Sequence, residues 1–206
     1  MENVKIEELD ALVGEMDIED MLLKPSDLTL DTGIWRSFPV PNCRNCEGTC
    51  CAQKLDLRLY DIARFMDHGL DEYIEGTFDS FMEYYVQGID VKQPFPYITP
   101  LDGSIYCRFL DKKHECGIYK ARMSSCRAFP LGIVKDEDGN MSLQWFGDQC
   151  SMSFNESRFW QLVNNAILNW NEGIKNQLLL LNARDYLRDM GFDKYLGDEN
   201  RYKTNT

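Results

Sequence analysis

Apolar residues recur at helical spacing near both ends of the chain. Ile6, Leu9, Val13 and Met16 fall on one face of a segment otherwise rich in acidic residues, which predicts a helix over 1–24 that Pro25 stops. Pro25, Pro39 and Pro41 make 25–42 an extended linker, with Ile34, Trp35 and Phe38 packing onto the core. Asp56 reads as the N-cap of a helix carrying Leu59, Ile62, Ala63 and Met66, which Gly69 ends. A second short helix over 71–86 would present Ile74, Phe78, Phe81, Met82 and Tyr85. The strongest pattern lies at 155–190. Phe159, Leu162, Val163, Ala166, Ile167 and Trp170 repeat at helical spacing, and the stripe resumes at Ile174 and Leu178. Ser153-Phe154-Asn155-Glu156 fits a capping box, Gly173 marks a bend or break, and Gly191 is a stop signal. The polar tail from 197 is expected to be mobile.

Between 94 and 150 the period changes. Asp102-Gly103 separates Tyr97-Ile98-Thr99 from Ile105-Tyr106-Cys107, and Asp138-Gly139-Asn140 separates Leu131–Lys135 from Met141–Phe146. Each is a hairpin signal. The expected class is α+β: a small cysteine-cluster domain with two short β-hairpins packed among helices, and a long C-terminal helical segment. The expected divisions are 1–42 (helix and linker), 43–150 (cysteine cluster) and 151–206 (helices on the same core).

The 206 residues suffice for one sizeable core. Lys plus Arg number 22 and Asp plus Glu 34, a net charge of −12. Such a chain is repelled by phosphate backbones, so no nucleic-acid partner is expected, and no run of Lys or Arg suggests a basic patch. The acidic N-terminus lacks the apolar stretch of a signal peptide, and the longest aliphatic run, Leu178 to Leu181, is too short to cross a bilayer. A cytoplasmic location without membrane attachment is therefore expected. In a reducing cytosol, eight cysteines read as metal ligands or redox groups rather than disulfides.

Four of those cysteines crowd into nine residues as Cys43-x2-Cys46-x3-Cys50-Cys51. Two thiolates spaced Cys-x2-Cys converge on one ion across a tight turn, which Gly48 eases. Thiolate sulfur suits zinc, copper(I) and iron–sulfur clusters. The other four are Cys107, Cys116, Cys126 and Cys150. Two sets of four match two tetrahedral zinc sites or two four-cysteine clusters such as 4Fe-4S, while one centre plus a redox-active thiol pair also fits.

The second group stands in the contexts Cys107-Arg108-Phe109-Leu110, Cys116-Gly117-Ile118-Tyr119 and Cys126-Arg127-Ala128-Phe129-Pro130. With the first group, these resemble the YkgJ-type cysteine-cluster family, whose core is described as zinc- or iron-chelating. The family pattern runs Cys-x2-Cys-x3-Cys-Cys, a later Cys followed by an aromatic and Leu, Cys-x-Ile-Tyr, Arg-Pro, then Cys-Arg-x-Phe-Pro. The resemblance spans about 43 to 134 and includes every cysteine of this chain except Cys150. One departure is that the pattern's Arg-Pro stands here as Arg122-Met123, a changed turn. The resemblance implies metal chelation. A related group with this cysteine pattern includes flagellin lysine N-methylases.

Arg44, Arg108, Arg122 and Arg127 lie within four residues of a motif cysteine, where they either offset thiolate charge or pair with the abundant carboxylates. Tyr106, Phe109, Ile118, Tyr119 and Phe129 would shield a cluster from solvent. Iron–sulfur is preferred over zinc, with one or two centres. His68 reads as a helix C-terminal residue and His114 as a loop residue, leaving no Ser-His-Asp or Cys-His unit to build on. The expected function is a metal-centre-binding protein with a redox, metal-handling or accessory role toward a larger enzyme, working with a protein partner. The alternative is an enzyme, such as a protein methyltransferase or a metalloenzyme maturation factor. No Gly-rich nucleotide loop supports it, and no small-molecule substrate can be named.

Overall fold

Phe159, Leu162, Val163, Ala166 and Ile167 lie three or four residues apart or side by side. In the computed structural model all five are buried along a helix of 27 residues, Glu156–Asn182. The structure describes residues 5–28, 30, 33–38, 40–41, 56–78, 96–99, 106–112, 115–146, 152–153 and 155–197. In chain order the helices are α1 (Ile6–Gly14), α2 (Leu59–Asp67), α3 (Ser124–Ala128), α4 (Glu156–Asn182), α5 (Arg184–Leu187) and α6 (Asp193–Leu196). The strands are β1 (Val40–Pro41), β2 (Ile74–Glu75), β3 (Tyr97–Ile98), β4 (Leu131–Lys135), β5 (Met141–Trp145) and β6 (Met152–Ser153). They form three antiparallel pairs, β1–β6, β2–β3 and β4–β5, and the class is α+β. No helix among the described residues is long and apolar enough to cross a membrane.

The chain divides into two compact units. The first comprises Met1–Met16, Leu55–Thr99 and Lys175–Thr206. Here Leu9 and Val13, one helical turn apart, are the buried face of α1, which packs on α2. The expected helix over 1–24 is therefore shorter. It ends at Gly14, and Glu19–Met21 forms a separate 3₁₀ turn. α2 is buried from Leu59 through Phe65, including the Asp61–Arg64 ion pair at 2.8 Å. Its start differs from expectation. Arg58 is the N-cap, its N–H donates to Asp61 Oδ2 at 3.2 Å, and Asp56 instead bridges to Tyr97. A carboxylate at the third helical position satisfies the cap from inside the helix. Gly69, at φ +66°, ends the helix as expected.

Residues 71–78 correct a second expectation. Asp71–Tyr73 is a 3₁₀ turn and Ile74–Glu75 is β2, which pairs with β3 in the register Ile74↔Ile98. Gly76 at φ +87° leaves the helical region immediately afterwards. The remainder of the helix expected to 86 lies outside the described residues. So do residues 101–105 of the first expected hairpin, whose Tyr97–Ile98 arm is β3.

α4 supplies residues to both units, and in each unit asparagines of the helix satisfy distant backbone groups. In the first unit, Asn176 is 1% exposed and its Oδ1 accepts the Leu59 N–H at 2.9 Å. That N–H is one of the four donors at a helix start without an intrahelical acceptor. Asn176→Ala strands it in the core, and we expect a loss of about 1–3 kcal/mol in urea unfolding. A cost under about 0.5 kcal/mol would mean that the amide has another acceptor.

The second unit comprises Asp17–Lys54 and Pro100–Ile174. Its core gathers Leu23, Leu28, Ala128 and Leu131 against the buried face of α4. Leu30, Ile34, Trp35 and Phe38 pack on this core, as expected for three of them, but Pro25–Asp27 and Ile34–Ser37 are 3₁₀ turns rather than extended chain. Asn171 holds the segment from both sides. Its Oδ1 accepts the Leu23 N–H at 2.8 Å, and its Nδ2 donates to the Leu23 carbonyl at 2.9 Å. The hairpin expected around Asp138-Gly139-Asn140 forms as β4–β5, from Leu131↔Trp145 to Lys135↔Met141. In its turn Asp136 accepts hydrogen bonds from the Asn140 side chain and then its backbone, which hold the carboxyl below the usual range. Asn155 caps α4, its Oδ1 accepting the Arg158 N–H at 2.8 Å. The helix runs unbroken past Gly173. The kink comes at Gly191, φ +94°, between Arg184–Leu187 and Asp193–Leu196.

Candidate metal centre

Three of the eight expected ligands, Cys107, Cys116 and Cys126, fall among the described residues, all in the second unit as half-buried thiols. Cys43, Cys46, Cys50, Cys51 and Cys150 lie outside the described residues, as does His114.

Cys107 and Cys116 belong to one narrow, self-bonded loop. The Leu110 N–H donates to the Cys107 carbonyl at 3.0 Å, which turns the chain. Leu110 and Cys116 form an antiparallel bridge, and the Asp111 N–H donates to the Glu115 carbonyl at 2.9 Å. Asp111 Oδ1 accepts the Glu115 N–H at 2.8 Å, closing the tip. The Gly117 N–H donates to the Phe109 carbonyl at 2.8 Å. A Cβ at Gly117 would stand 3.2 Å from that same oxygen, tighter than an ordinary contact, so a larger residue after Cys116 would press on this bond.

Cys126 sits in α3, one short helix after the Tyr119–Ala121 turn. Arg122 donates to the Cys126 carbonyl. Arg127 Nε donates to the Arg122 carbonyl at 2.8 Å and its Nη2 to the Lys120 carbonyl at 2.9 Å. Asn165 of α4 donates to the Arg127 carbonyl at 3.0 Å, so the segment bearing Cys126 is tied to the long helix. The backbone at the Arg122-Met123 departure is one that the pattern's proline could also adopt. Arg122 has ψ 136° and Met123 has φ −57°, the values that a proline and the residue before it would take. The Met123 side chain, 2% exposed, adds apolar burial in its place.

Of the aromatic and apolar neighbours expected to shield a cluster, Phe109, Ile118 and Phe129 are half-buried. Tyr106 and Tyr119 are more exposed, at 41% and 63%. His68 is the C-cap of α2, its Nδ1 within 2.9 Å of the Arg64 carbonyl, a helix-end role as expected.

Among the described residues no three His, Cys, Asp or Glu side chains gather closely enough to hold a metal ion. Cys107, Cys116 and Cys126 therefore do not form a closed site by themselves. Their chemistry still fits zinc or iron. All three are soft sulfur donors, and Arg122 and Arg127 supply positive charge beside Cys126. Ser125 Oγ, buried and without a hydrogen-bond partner among the described residues, adds a hydroxyl next to that cysteine.

The family model called CxxCxxCC, described as "Putative zinc- or iron-chelating domain", matches residues 42–151, just over half of the chain. The chain belongs to this family. The match takes in all eight cysteines, including Cys150, which the motif resemblance ending near 134 left out. It supports metal binding in general, with zinc or iron as the metal. Comparison with curated proteins and with solved structures gave no match.

Proposed function

We propose that the chain holds one or two iron–sulfur centres through Cys43, Cys46, Cys50, Cys51, Cys107, Cys116, Cys126 and Cys150. It would act in the cytoplasm with a protein partner, in a redox, metal-handling or accessory role. The observation that carries this reading is the donor set. Every candidate ligand in the matched segment is a thiolate, and the guanidiniums beside Cys126 are bonded to neutral carbonyl oxygens. A thiolate-ligated cluster is anionic, so cations held this way lower the cost of keeping it half-buried. When bound, the centre would supply electron transfer or cross-link the cysteine-bearing loops. The chain's own part is to orient the sulfurs. The Gly117–Phe109 bond sets Cys116, the Leu110–Cys107 turn sets Cys107, and the Arg122 and Asn165 contacts fix α3.

Anaerobic purification followed by metal and sulfide analysis tests this reading. Brown protein with iron and acid-labile sulfide in equal amounts, and broad absorption at the blue edge of the visible range, is expected. Colourless protein with one or two zinc ions and no sulfide would replace the cluster with zinc. Less than one equivalent of any metal would sink both.

A further inference from the structure

The acidic chain conceals a basic cleft. Lys120 and Arg122 from one turn, Arg127 from α3, and Arg158 and Asn165 from α4 line a depression of about 320 Å³ in the second unit. That size falls within the range of small-molecule sites, about 300–1,000 Å³. Four cations share one cleft in a molecule of net charge −12. Among the described residues, Lys120, Arg122 and Arg158 make no ion pair with a carboxylate. Arg122 and Arg127 are oriented by neutral carbonyls, and the Arg122 guanidinium stacks on the Tyr119 ring, 5.1 Å from its centre. For Arg122 such fixing spends donors without cancelling charge, and a planar guanidinium fork suits carboxylate or phosphate oxygens. Arg158 and Asn165 are seven residues apart, two turns of α4, so helix geometry puts them on one face.

We propose that this cleft binds a small oxyanion of two or more charges, either a phosphate group or a pair of carboxylates. The site goes beyond the metal reading, with which it shares Arg122 and Arg127, and adds Lys120 and Arg158. Isothermal titration of the intact, metal-bearing chain at constant ionic strength, with inorganic phosphate and separately with succinate, tests the proposal. Saturable binding of at least one is expected, and the stronger of the two identifies the source of the oxyanion. The Lys120→Gln/Arg158→Gln double variant should bind at least 10-fold more weakly. The Lys24→Gln/Lys135→Gln control, with equal charge removed from exposed positions elsewhere, should change affinity less than 2-fold. Three results would overturn the proposal: no binding of either anion to the parent, equal losses in both double variants, or unchanged binding in Lys120→Gln/Arg158→Gln. The last would place the anion away from Lys120 and Arg158, and the first would leave the cations without an oxyanion to bind.

Discussion

Cys126→Ser, purified without oxygen, should lose all of its metal if the protein has one centre and about half if it has two. Serine keeps the size of the side chain but replaces a soft thiolate with a hydroxyl that zinc and iron bind poorly. Cys126 is the most telling of the three described cysteines because α3 is tied down independently of any metal, by Arg122 on its own carbonyl and by Asn165 on the next. A change of ligand there is not masked by collapse of the loop. A metal present at ~1,000 times its dissociation constant stabilises the fold by about 4.1 kcal/mol, so the variant should unfold at a lower urea concentration by an amount of that order. Full metal content in Cys126→Ser would remove this residue from the ligand set. Arg122→Gln makes the companion measurement. It keeps every sulfur and removes one orienting contact, and a fall in metal affinity of about 10- to 100-fold is expected.

The parts of the fold that local sequence determines were the ones legible in it. The α4 stripe from Phe159 to Ile167 is buried as its spacing implied, and the Asp138-Gly139-Asn140 turn makes its hairpin. Both depend on neighbours within a few residues. The errors arose where distant chain decides. Ile74 and Phe78 stand four apart, as on a helix, yet β2 forms because Ile98 offers it a ladder and Gly76 leaves the helical region. Gly76 was the signal within reach. Asn171 and Asn176 escaped notice because a search for apolar period passes over polar residues, and their partners lie 148 and 117 positions away. The same holds for the cations. No run of Lys or Arg marks a basic patch, but folding joins 120–127 to one face of α4 and makes one. Within the metal centre, the order of the cysteine motifs identified the family, while the bonding of the Cys107–Cys116 loop and the anchoring of Cys126 came only from structure.

Phe159→Ala should cost about 3–5 kcal/mol, the largest effect of any single core truncation proposed here. The ring is fully buried in the second unit, 5.6 Å from Phe38 and 5.1 Å from Trp160 between centroids, the latter edge-on. Such aromatic pairs add about 0.5–1.5 kcal/mol beyond burial, and the cavity would open between α4 and the segment carrying Phe38. Leu168→Ala, on the same helix but 42% exposed, should cost about 0.5 kcal/mol. Urea midpoints for the two variants with an unchanged slope make the comparison, and a Phe159→Ala cost below about 1 kcal/mol would refute this packing. The variant also asks how the core supports the cysteines. Phe159 and Asn165 share α4, and Asn165 bonds to the carbonyl that follows Cys126. A loosened helix should therefore release metal faster to a competing chelator. Metal retention equal to the parent's, in a variant that has lost the expected stability, would show that the cysteine loops hold their geometry without the long helix behind them.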